Sequence, residues 1–437
     1  MESHSDIGSM WVAAAILFGA YVMIFSEWLH RTYAALAGAV VMVGVGGWLG
    51  FYSQEAALLS IDSNTILLLM GMMLLVALLR PTGMFEYLAI RLAKAAGGNP
   101  KRLLIYLGVV ISVLSMILDN VTTVIIFAPL TILVTRLLNL NPAPFLITLA
   151  MLSNIGGATT LVGDPPNIMI GSAAGIDFVT FLVNMAPIVA APWVATLLIL
   201  LVFFRKDLRP RNSEPVQFDL DEKKAIREPV LLGRMLAVMG LVVILFFTHS
   251  QLGYYPSFVS LIGLALALIL VRPHADQLVT QVDWSILLFF ASLFVIVGGV
   301  EATGLLDLIG ERLAEAARYP NKMLVTALAL MWVAAIVSAL IDNIPFTVTM
   351  LPIIGALSAE GIDVYPFWWA LAIGVALGGN GTHIGATANI VVVAQAEKSG
   401  VPGARITPMQ WLRTGLPVML VGLVAASLAF SLIYSTF

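Results

Sequence analysis

The chain has 437 residues, of which 60% are hydrophobic and only 11% are charged. This composition excludes an ordinary soluble domain, in which about 25% of residues are charged. The absence of cysteine excludes a disulfide framework, a thiolate metal site and a thiol redox motif. The formal net charge of −3 excludes little by itself. We expect no cofactor, no bound metal and no nucleic-acid partner, and a lipid bilayer around most of the chain.

The N-terminal segment MESHSDIGSM is acidic and lacks the basic part of a cleavable signal peptide, so we expect the first apolar run to remain as a span. Further runs are long enough, or nearly so, to cross about 30 Å of hydrocarbon. Together these runs predict an all-α integral membrane protein with about 10 spans and two re-entrant hairpins. The runs are Met10–Ser26, Thr32–Trp48, Thr65–Leu79, Pro187–Phe204, Met235–Phe247, Phe258–Val271, Ile286–Val300 and Leu416–Ile433.

A segment at residues 103–135, hairpin 1, carries Asp119 and Asn120 in the middle of an apolar stretch. An ionised carboxylate at membrane depth costs several kcal/mol unless it is paired, protonated or functional. We therefore predict a helical hairpin with Asp119, Asn120, Thr122 and Thr123 at its tip, where helix N-terminal amides face a water-filled cavity. The alternative is that Asp119 and Asn120 only cap the second helix of the hairpin.

A second interrupted segment follows at residues 145–176, broken helix 1. Glycines allow the backbone to approach a ligand, and consecutive prolines end the preceding helix. The alternative is that the glycines only permit close helix packing. We assign Gly163, Asp164, Pro165 and Pro166 to the structure of the break, with Asp164 ordering it through local backbone bonds. The predicted solute-binding residues of this segment are Asn154, Gly157 and Asn167.

Residues 205–234 mix both charge signs with proline and predict a cytoplasmic linker between two halves, residues 1–204 and 235–437. The halves repeat the same motifs, since Leu118-Asp119-Asn120 aligns with Ile341-Asp342-Asn343. The second half therefore contains hairpin 2 at residues 323–358 and broken helix 2 at residues 366–395. The hairpin 2 tip contains Asp342, Asn343 and Thr347. Broken helix 2 contains Asn380, Gly381, Thr382, His383, Gly385 and Asn389, with Gly385 assigned to structure.

The distribution of basic residues predicts the orientation. With the N-terminus outside, all of the 22 Lys and Arg except Arg312, Arg318 and Lys322 lie on the cytoplasmic face, as the positive-inside rule requires. The two repeats are then inverted, an architecture typical of secondary transporters whose solute site lies at the membrane midplane. We predict a multi-pass protein of the inner (plasma) membrane with a cytoplasmic linker.

The tip and break motifs resemble those of the arsenite permease (ArsB-like) and melanosomal P-protein branch of the ion transporter superfamily. The resemblance covers the chain from about Asp62 to the last span. It implies efflux of arsenite and antimonite coupled to inward proton movement, and in some members an accessory arsenite-stimulated ATPase. The sequence departs from sodium–dicarboxylate carriers, whose hairpin tips carry Ser-Asn-Thr. Carboxylates at both tips suit proton binding and repel a dianion.

The expected solute is a neutral, hydroxyl-bearing molecule, which amides, threonine hydroxyls and backbone groups can hold by hydrogen bonds. We assign its binding to Asn154, Gly157, Asn167, Asn380, Gly381, Thr382 and Asn389. Proton coupling is assigned to Asp119 and Asp342, and His383 is either a proton carrier or a hydrogen-bond donor to a freed carbonyl. Sodium–proton exchange or sodium-coupled anion transport remains an alternative function, in which sodium would be a coupling ion. An intramembrane enzyme is disfavoured because Leu161-Val162-Gly163-Asp164 lacks the Gly-x-Gly-Asp pattern.

Overall fold

The computed structural model describes residues 7–26, 28–209, 222–317, 323–401 and 403–436. Within these residues the chain is helical, and no strand is present. The α-helices are α1 (Ile7–Phe25), α2 (Arg31–Leu49), α3 (Gln54–Leu59), α4 (Ser63–Leu79), α5 (Met84–Ala96), α6 (Pro100–Leu118), α7 (Asn120–Leu137), α8 (Pro142–Gly157), α9 (Pro165–Ala174), α10 (Phe178–Phe203), α11 (Pro229–Thr248), α12 (Pro256–Val271), α13 (Ala275–Val279), α14 (Trp284–Glu301), α15 (Leu305–Ala317), α16 (Met323–Leu340), α17 (Asn343–Ala359), α18 (Tyr365–Gly378), α19 (Thr387–Lys398) and α20 (Pro408–Ile433).

The helices form two repeats in which α1 to α10 correspond in order to α11 to α20. Hairpin 1 is α6 and α7, hairpin 2 is α16 and α17, and the broken helices are α8–α9 and α18–α19, as predicted. Each hairpin turns back where a broken helix is interrupted, so it contributes no net crossing. Each repeat then crosses five times (α1, α2, α4, α8–α9 and α10 in the first). An odd number of crossings places the second repeat upside down relative to the first, which confirms the inverted repeats.

Two short helices, α3 and α13, were not predicted from the sequence. They have only 6 and 5 residues and occupy corresponding positions in the two repeats. In the described residues, ten helices are long and apolar enough to cross a membrane. Three of these, α6, α7 and α16, belong to the hairpins, while α12 is shorter at 16 residues.

The repeats are interleaved. Helix α2 packs on α14 and α4 packs on α12, so the outer helices of one half lie against those of the other. Likewise, α19 packs on α7 and α8, while α9 packs on α17 and α18. Each broken helix therefore completes its packing on the hairpin of the opposite repeat, which brings all four interrupted segments to the centre.

Burial separates the central helices from those that face lipid. Every residue of α8 is buried, and the helix is apolar on all sides. Both features are typical of a helix surrounded by protein. Large apolar side chains on the outer helices are instead exposed, for example Trp11 (73%) and Trp48 (85%). Exposed apolar surface of this extent is stable only against hydrocarbon.

One end of the bundle is marked by the chain that follows α10, and we call it the linker face. Helix α2 begins there and α4 ends there. The backbone N–H of Arg227, just before α11, donates to the carbonyl of Thr82, just after α4, at 3.0 Å. The opposite face carries the start of α4 and the end of α14.

Candidate functional site

The tip of hairpin 1 is a tight break at one residue, Asp119, between α6 and α7. Asp119 has φ 74° and ψ 155°, a region that costs a non-glycine residue about 1–3 kcal/mol. Its carboxylate accepts a hydrogen bond from the backbone N–H of Thr122 at 2.8 Å, and the hydroxyl of Thr123 donates to its carbonyl at 2.7 Å. The Asp therefore caps α7, as the alternative prediction stated, and it is also buried.

Asn120 attaches the hairpin 1 tip to the break between α8 and α9. Its backbone N–H donates to the carbonyl of Gly163 at 3.0 Å. Its side-chain Nδ2 donates to Asn154 Oδ1 at 3.1 Å and to Asp164 Oδ1 at 3.2 Å. Three backbone and side-chain bonds thus support the strained conformation at the preceding residue.

The Asp164 side chain does not make the predicted bonds to the local backbone in the described structure, although its backbone carbonyl accepts from the N–H of Asn167 at 3.0 Å. Asp164 precedes α9 but makes no side-chain bond to the amides of that helix. Two prolines follow it, so the first positions of the helix have no N–H to donate. Instead Asn167 closes the break, because its Nδ2 donates to the carbonyls of Gly157 (3.1 Å) and Thr160 (2.9 Å).

The two halves meet at a set of buried amides, Asn154, Asn380 and Asn389, which we call the amide junction. Asn154 Nδ2 donates to Asn380 Oδ1 at 2.9 Å and to Asn389 Oδ1 at 3.0 Å. Asn380 Nδ2 donates in turn to the carbonyl of Met151 at 3.3 Å. All three side chains are at most 1% exposed. The junction therefore connects broken helix 1 directly to broken helix 2.

Broken helix 2 repeats the closure of broken helix 1. Asn389 Nδ2 donates to the carbonyls of Gly379 (2.6 Å) and Thr382 (2.9 Å), just as Asn167 does in the first half. The hydroxyl of Thr382 donates to the carbonyl of Ala339 in hairpin 2 at 2.5 Å. Thr382 thus links the break to its own hairpin, and Gly385 lies in the turn that follows.

The tip of hairpin 2 differs from the tip of hairpin 1 because a cation neutralises it. Arg31 Nη1, at the start of α2, donates to Asp342 Oδ2 at 3.0 Å and to Thr387 Oγ1 at 2.9 Å. The Thr387 hydroxyl also donates to Asp342 Oδ2 at 3.0 Å. Hairpin 2, broken helix 2 and the outer helix α2 therefore meet at one ion pair. The following residue, Asn343, begins α17, and Thr347 donates to its carbonyl at 2.8 Å.

Two cavities on the linker face reach the hairpin tips, and a third cavity lies on the opposite face. A cavity of about 390 Å³ on the linker face is lined by His30, Arg31 and Asp342 with apolar walls, and one of about 70 Å³ on the same face touches Thr122. A cavity of about 280 Å³ on the opposite face is lined by residues that include Asp62, Glu301 and Pro352. The volume beside Asp342 is in the range of small-molecule sites.

Of the predicted site residues, the structure brings Asn154, Asn380 and Asn389 into one hydrogen-bonded junction. Gly157 and Gly381 face protein atoms: a Cβ at Gly157 would meet the carbonyl of Gly163, and one at Gly381 would lie 2.7 Å from Met419 Sδ. His383 is half-buried in the turn of broken helix 2.

Sequence reasoning missed Arg31, which it used only to count charge on one face. Its partner lies 311 residues away in the chain, so no local pattern marks the pair. The one available signal was the need of a buried Asp for a counter-charge. Two further contacts were also missed. The Ser115 hydroxyl in α6 donates to the carbonyl of Ser153 in α8 at 2.7 Å. The Trp411 side chain donates to the carbonyl of Asn380 at 3.2 Å.

Replacing Gly163 by Ala is expected to abolish transport and strongly destabilise the protein. A Cβ there would lie 2.5 Å from the carbonyl oxygen of Gly157 and 2.7 Å from that of Ser115, and backbone atoms cannot rotate away. Overpacking of this kind costs about 1–3 kcal/mol or more. The melting temperature of the purified variant in detergent measures the effect.

The matched control for this prediction is Gly44→Ala in α2, where no atom lies within 4 Å of the added Cβ. Alanine in a helix is more favourable than glycine, so this variant should melt at the wild-type temperature or above. Equal melting temperatures for Gly163→Ala and the wild type would contradict the tight packing of the break.

Comparisons with known proteins agree with this geometry. Residues 21–374 match the model of a family described as citrate transporter (CitMHS). An uncharacterized transporter of Mycobacterium tuberculosis is 39% identical over 97% of this chain and 98% of its own length. The P protein of Homo sapiens is 32% identical over 94% of this chain, which spans 58% of that protein. The transporter YdaH of Alcanivorax borkumensis shares the fold, with a TM-score of 0.58 at 13% identity over 98% of both chains.

Inverted repeats whose hairpin tips meet broken helices at a buried polar junction define a membrane transporter. The chain belongs to the CitMHS family of the ion transporter superfamily, as the match over residues 21–374 shows. The similarity to the P protein agrees with the resemblance that the sequence motifs indicated.

Proposed function

We propose that this protein exports trivalent arsenite and antimonite from the cytoplasm in exchange for protons. One observation carries the proposal: the centre of the protein holds three buried acids, Asp119, Asp164 and Asp342, while within the described parts of the chain the cation paired with them is Arg31. Such a centre has no positive charge left for an anionic solute, and it favours a neutral solute together with a proton or another small cation.

The amide junction suits a neutral molecule that carries hydroxyl groups. Each amide side chain offers both a donor and an acceptor. A solute at this point would replace the Asn154 to Asn380 hydrogen bond with bonds to its own hydroxyls. Because one set of hydrogen bonds is exchanged for another, binding is weak and reversible, which favours release on the far side.

In the proposed mechanism, Asp119 and Asp342 exchange protons as the hairpin tips move between the two faces. Protonation of Asp342 would remove its attraction to Arg31 and free hairpin 2 from the outer helix α2. Deprotonation would restore the ion pair. We further propose that the protein lies in the plasma membrane, with its N-terminus outside and its linker in the cytoplasm, in accordance with the distribution of Lys and Arg.

Transport by the purified protein in liposomes tests the proposal. With an imposed pH gradient we expect arsenite and antimonite to move against their concentration gradients, without a requirement for sodium. Asp119→Asn and Asp342→Asn should each weaken the dependence on the pH gradient. The proposal is wrong if arsenite does not move, and the proton roles are wrong if both variants remain fully coupled.

A second candidate is transport of citrate or another anion, with sodium as the coupling ion. The family description favours it, and so does the cavity of about 390 Å³ that contains Arg31. Labelled citrate in the same liposomes, with and without sodium, decides between the candidates. In everted vesicles, dependence of arsenite uptake on ATP would reveal an accessory ATPase.

A further inference from the structure

Asp164 is a buried carboxyl group that, among the described residues, no cation and no backbone amide neutralises. The residue is only 1% exposed. Its Oδ1 accepts one hydrogen bond, from Asn120 Nδ2 at 3.2 Å, and its Oδ2 has no hydrogen-bond partner among the described residues. A carboxylate anion removed from water requires several donors or a counter-charge. These contacts fit a neutral carboxylic acid.

The second repeat contains the same turn without a carboxyl group. Ala386 precedes α19 as Asp164 precedes α9, with φ −146° and ψ 145° compared with φ −147° and ψ 133°. Asn389 closes its break with the same pair of carbonyl bonds as Asn167. Since alanine supports this conformation, the geometry of the turn does not require the carboxyl group of Asp164.

In the part of the chain that the structure describes, two further buried oxygens around Asp164 lack a donor, namely Asn120 Oδ1 and Asn167 Oδ1. Both residues are at most 2% exposed. The corresponding oxygen of the second repeat, Asn389 Oδ1, accepts from Asn154 Nδ2 at 3.0 Å. The first repeat therefore holds a cluster of acceptors without donors, and buried polar atoms of this kind normally have partners. A proton on the Asp164 carboxyl group would add one donor to this part of the protein.

The charged groups around Asp164 belong to the two hairpin tips. Asp342 on hairpin 2 and Asp119 on hairpin 1 both interact with it electrostatically. Each would repel a second negative charge. The cation at hairpin 2, Arg31, is already bonded to Asp342.

We infer that Asp164 is a third proton-carrying carboxyl group of the transport cycle. It takes up a proton when broken helix 1 closes on hairpin 1, and it releases the proton when Asn120 moves away and water reaches the carboxylate. In uptake, hydronium transfers its proton to Asp164 Oδ2 and leaves as water, and release is the reverse. The coupling role rests on the proposed function, whereas the protonation of Asp164 does not depend on the solute.

Infrared difference spectroscopy of the protein in liposomes tests the protonation directly. Protein labelled with ¹³C-carboxyl aspartate should show the C=O stretch of a protonated carboxyl group at neutral pH. Asp164→Asn should lose that band, and the exposed control Asp276→Asn should keep it. An unchanged band in Asp164→Asn would overturn the inference, whatever the solute proves to be.

The steady-state solute gradient tests the coupling. Each coupled proton contributes about 1.4 kcal/mol per pH unit, or about tenfold in the solute ratio. With arsenite as the probe and a gradient of one pH unit, Asp164→Asn should lower the accumulation ratio about tenfold. Asp164→Ala copies Ala386 of the second repeat and should fold if the amide variant does not. Wild-type accumulation by either variant would overturn the coupling role. Failure of the wild type to accumulate arsenite would instead refute the proposed solute. The infrared experiment would still decide independently whether Asp164 is protonated.

Discussion

Replacing Arg31 by Ala is expected to destabilise the protein and to reduce transport at least about tenfold, a loss equivalent to about 1.4 kcal/mol. The substitution leaves Asp342 buried, with the Thr387 hydroxyl at 3.0 Å and the N–H of Ile344 at 3.4 Å as its remaining partners. Removing one member of a buried ion pair costs about 3–5 kcal/mol. We expect less here, because the Arg31 side chain is 25% exposed and solvent screens the pair.

A double substitution separates loss of the ion pair from loss of packing. Asp342→Asn removes the charge that Arg31→Ala leaves unpaired, so the double variant should melt at a higher temperature than Arg31→Ala alone. Arg31→Lys keeps the charge but not the guanidinium geometry. Its melting temperature should therefore lie between those of the wild type and Arg31→Ala. Arg102→Ala, on the exposed surface near the start of α6, is the control.

Strict additivity of the two single changes in the double variant would show that Arg31 and Asp342 do not interact in the folded protein. Transport by Arg31→Ala at the wild-type rate would show that the ion pair has no role in the cycle. Either outcome would leave the amide junction as the central contact between the two halves whose role in transport remains to be tested.

The architecture could be predicted from the sequence because its signals are local. Helix-breaking residues such as Pro165 and Pro166 stand inside apolar runs, and each motif occurs twice in the chain. The hairpins, the broken helices and their inverted relation follow from those observations. Helices α3 and α13 escaped prediction because five or six residues are too few to show a helical period.

The contacts of the site could not be predicted because they depend on the packing of distant segments. Arg31 reaches Asp342 only because α2 of the first repeat packs on α14 of the second. The motifs around Asp119 and Asp342 look equivalent in the sequence, yet one carboxylate is paired with a cation and the other caps a strained turn. A repeat in the sequence predicts equal folds, whereas function depends on how the two copies differ.

Replacing Asn154 by Asp, an almost isosteric change, is expected to abolish transport and lower the melting temperature. The orientation of the neighbouring amide is fixed, because Asn389 Nδ2 donates to the carbonyls of Gly379 and Thr382 and its Oδ1 must face position 154. An aspartate there would present oxygen to oxygen. Leaving buried polar groups unpaired costs about 1–3 kcal/mol each.

Rotation of Asn380 cannot repair this defect completely. If Asn380 turned its Nδ2 toward the new carboxylate, its bond to the carbonyl of Met151 would be lost, and Asn389 would still face an acceptor. Only protonation of the new Asp would restore a donor, so some stability should return at low pH. Asn99→Asp at the half-buried N-cap of α6 is the control, because Asp and Asn cap helices equally well.

Melting temperatures of the Asn154→Asp and Asn99→Asp variants, measured in detergent over a range of pH, check this prediction. We expect a deficit for Asn154→Asp that narrows as the pH falls, and no comparable deficit for Asn99→Asp. If Asn154→Asp melted like the wild type at neutral pH and still transported solute, its Nδ2 could not be the donor that joins the two broken helices. The halves would then be coupled through other contacts between the repeats, such as the Arg31 ion pair and the hydrogen bond from the Tyr21 hydroxyl to the carbonyl of Pro345 at 2.8 Å.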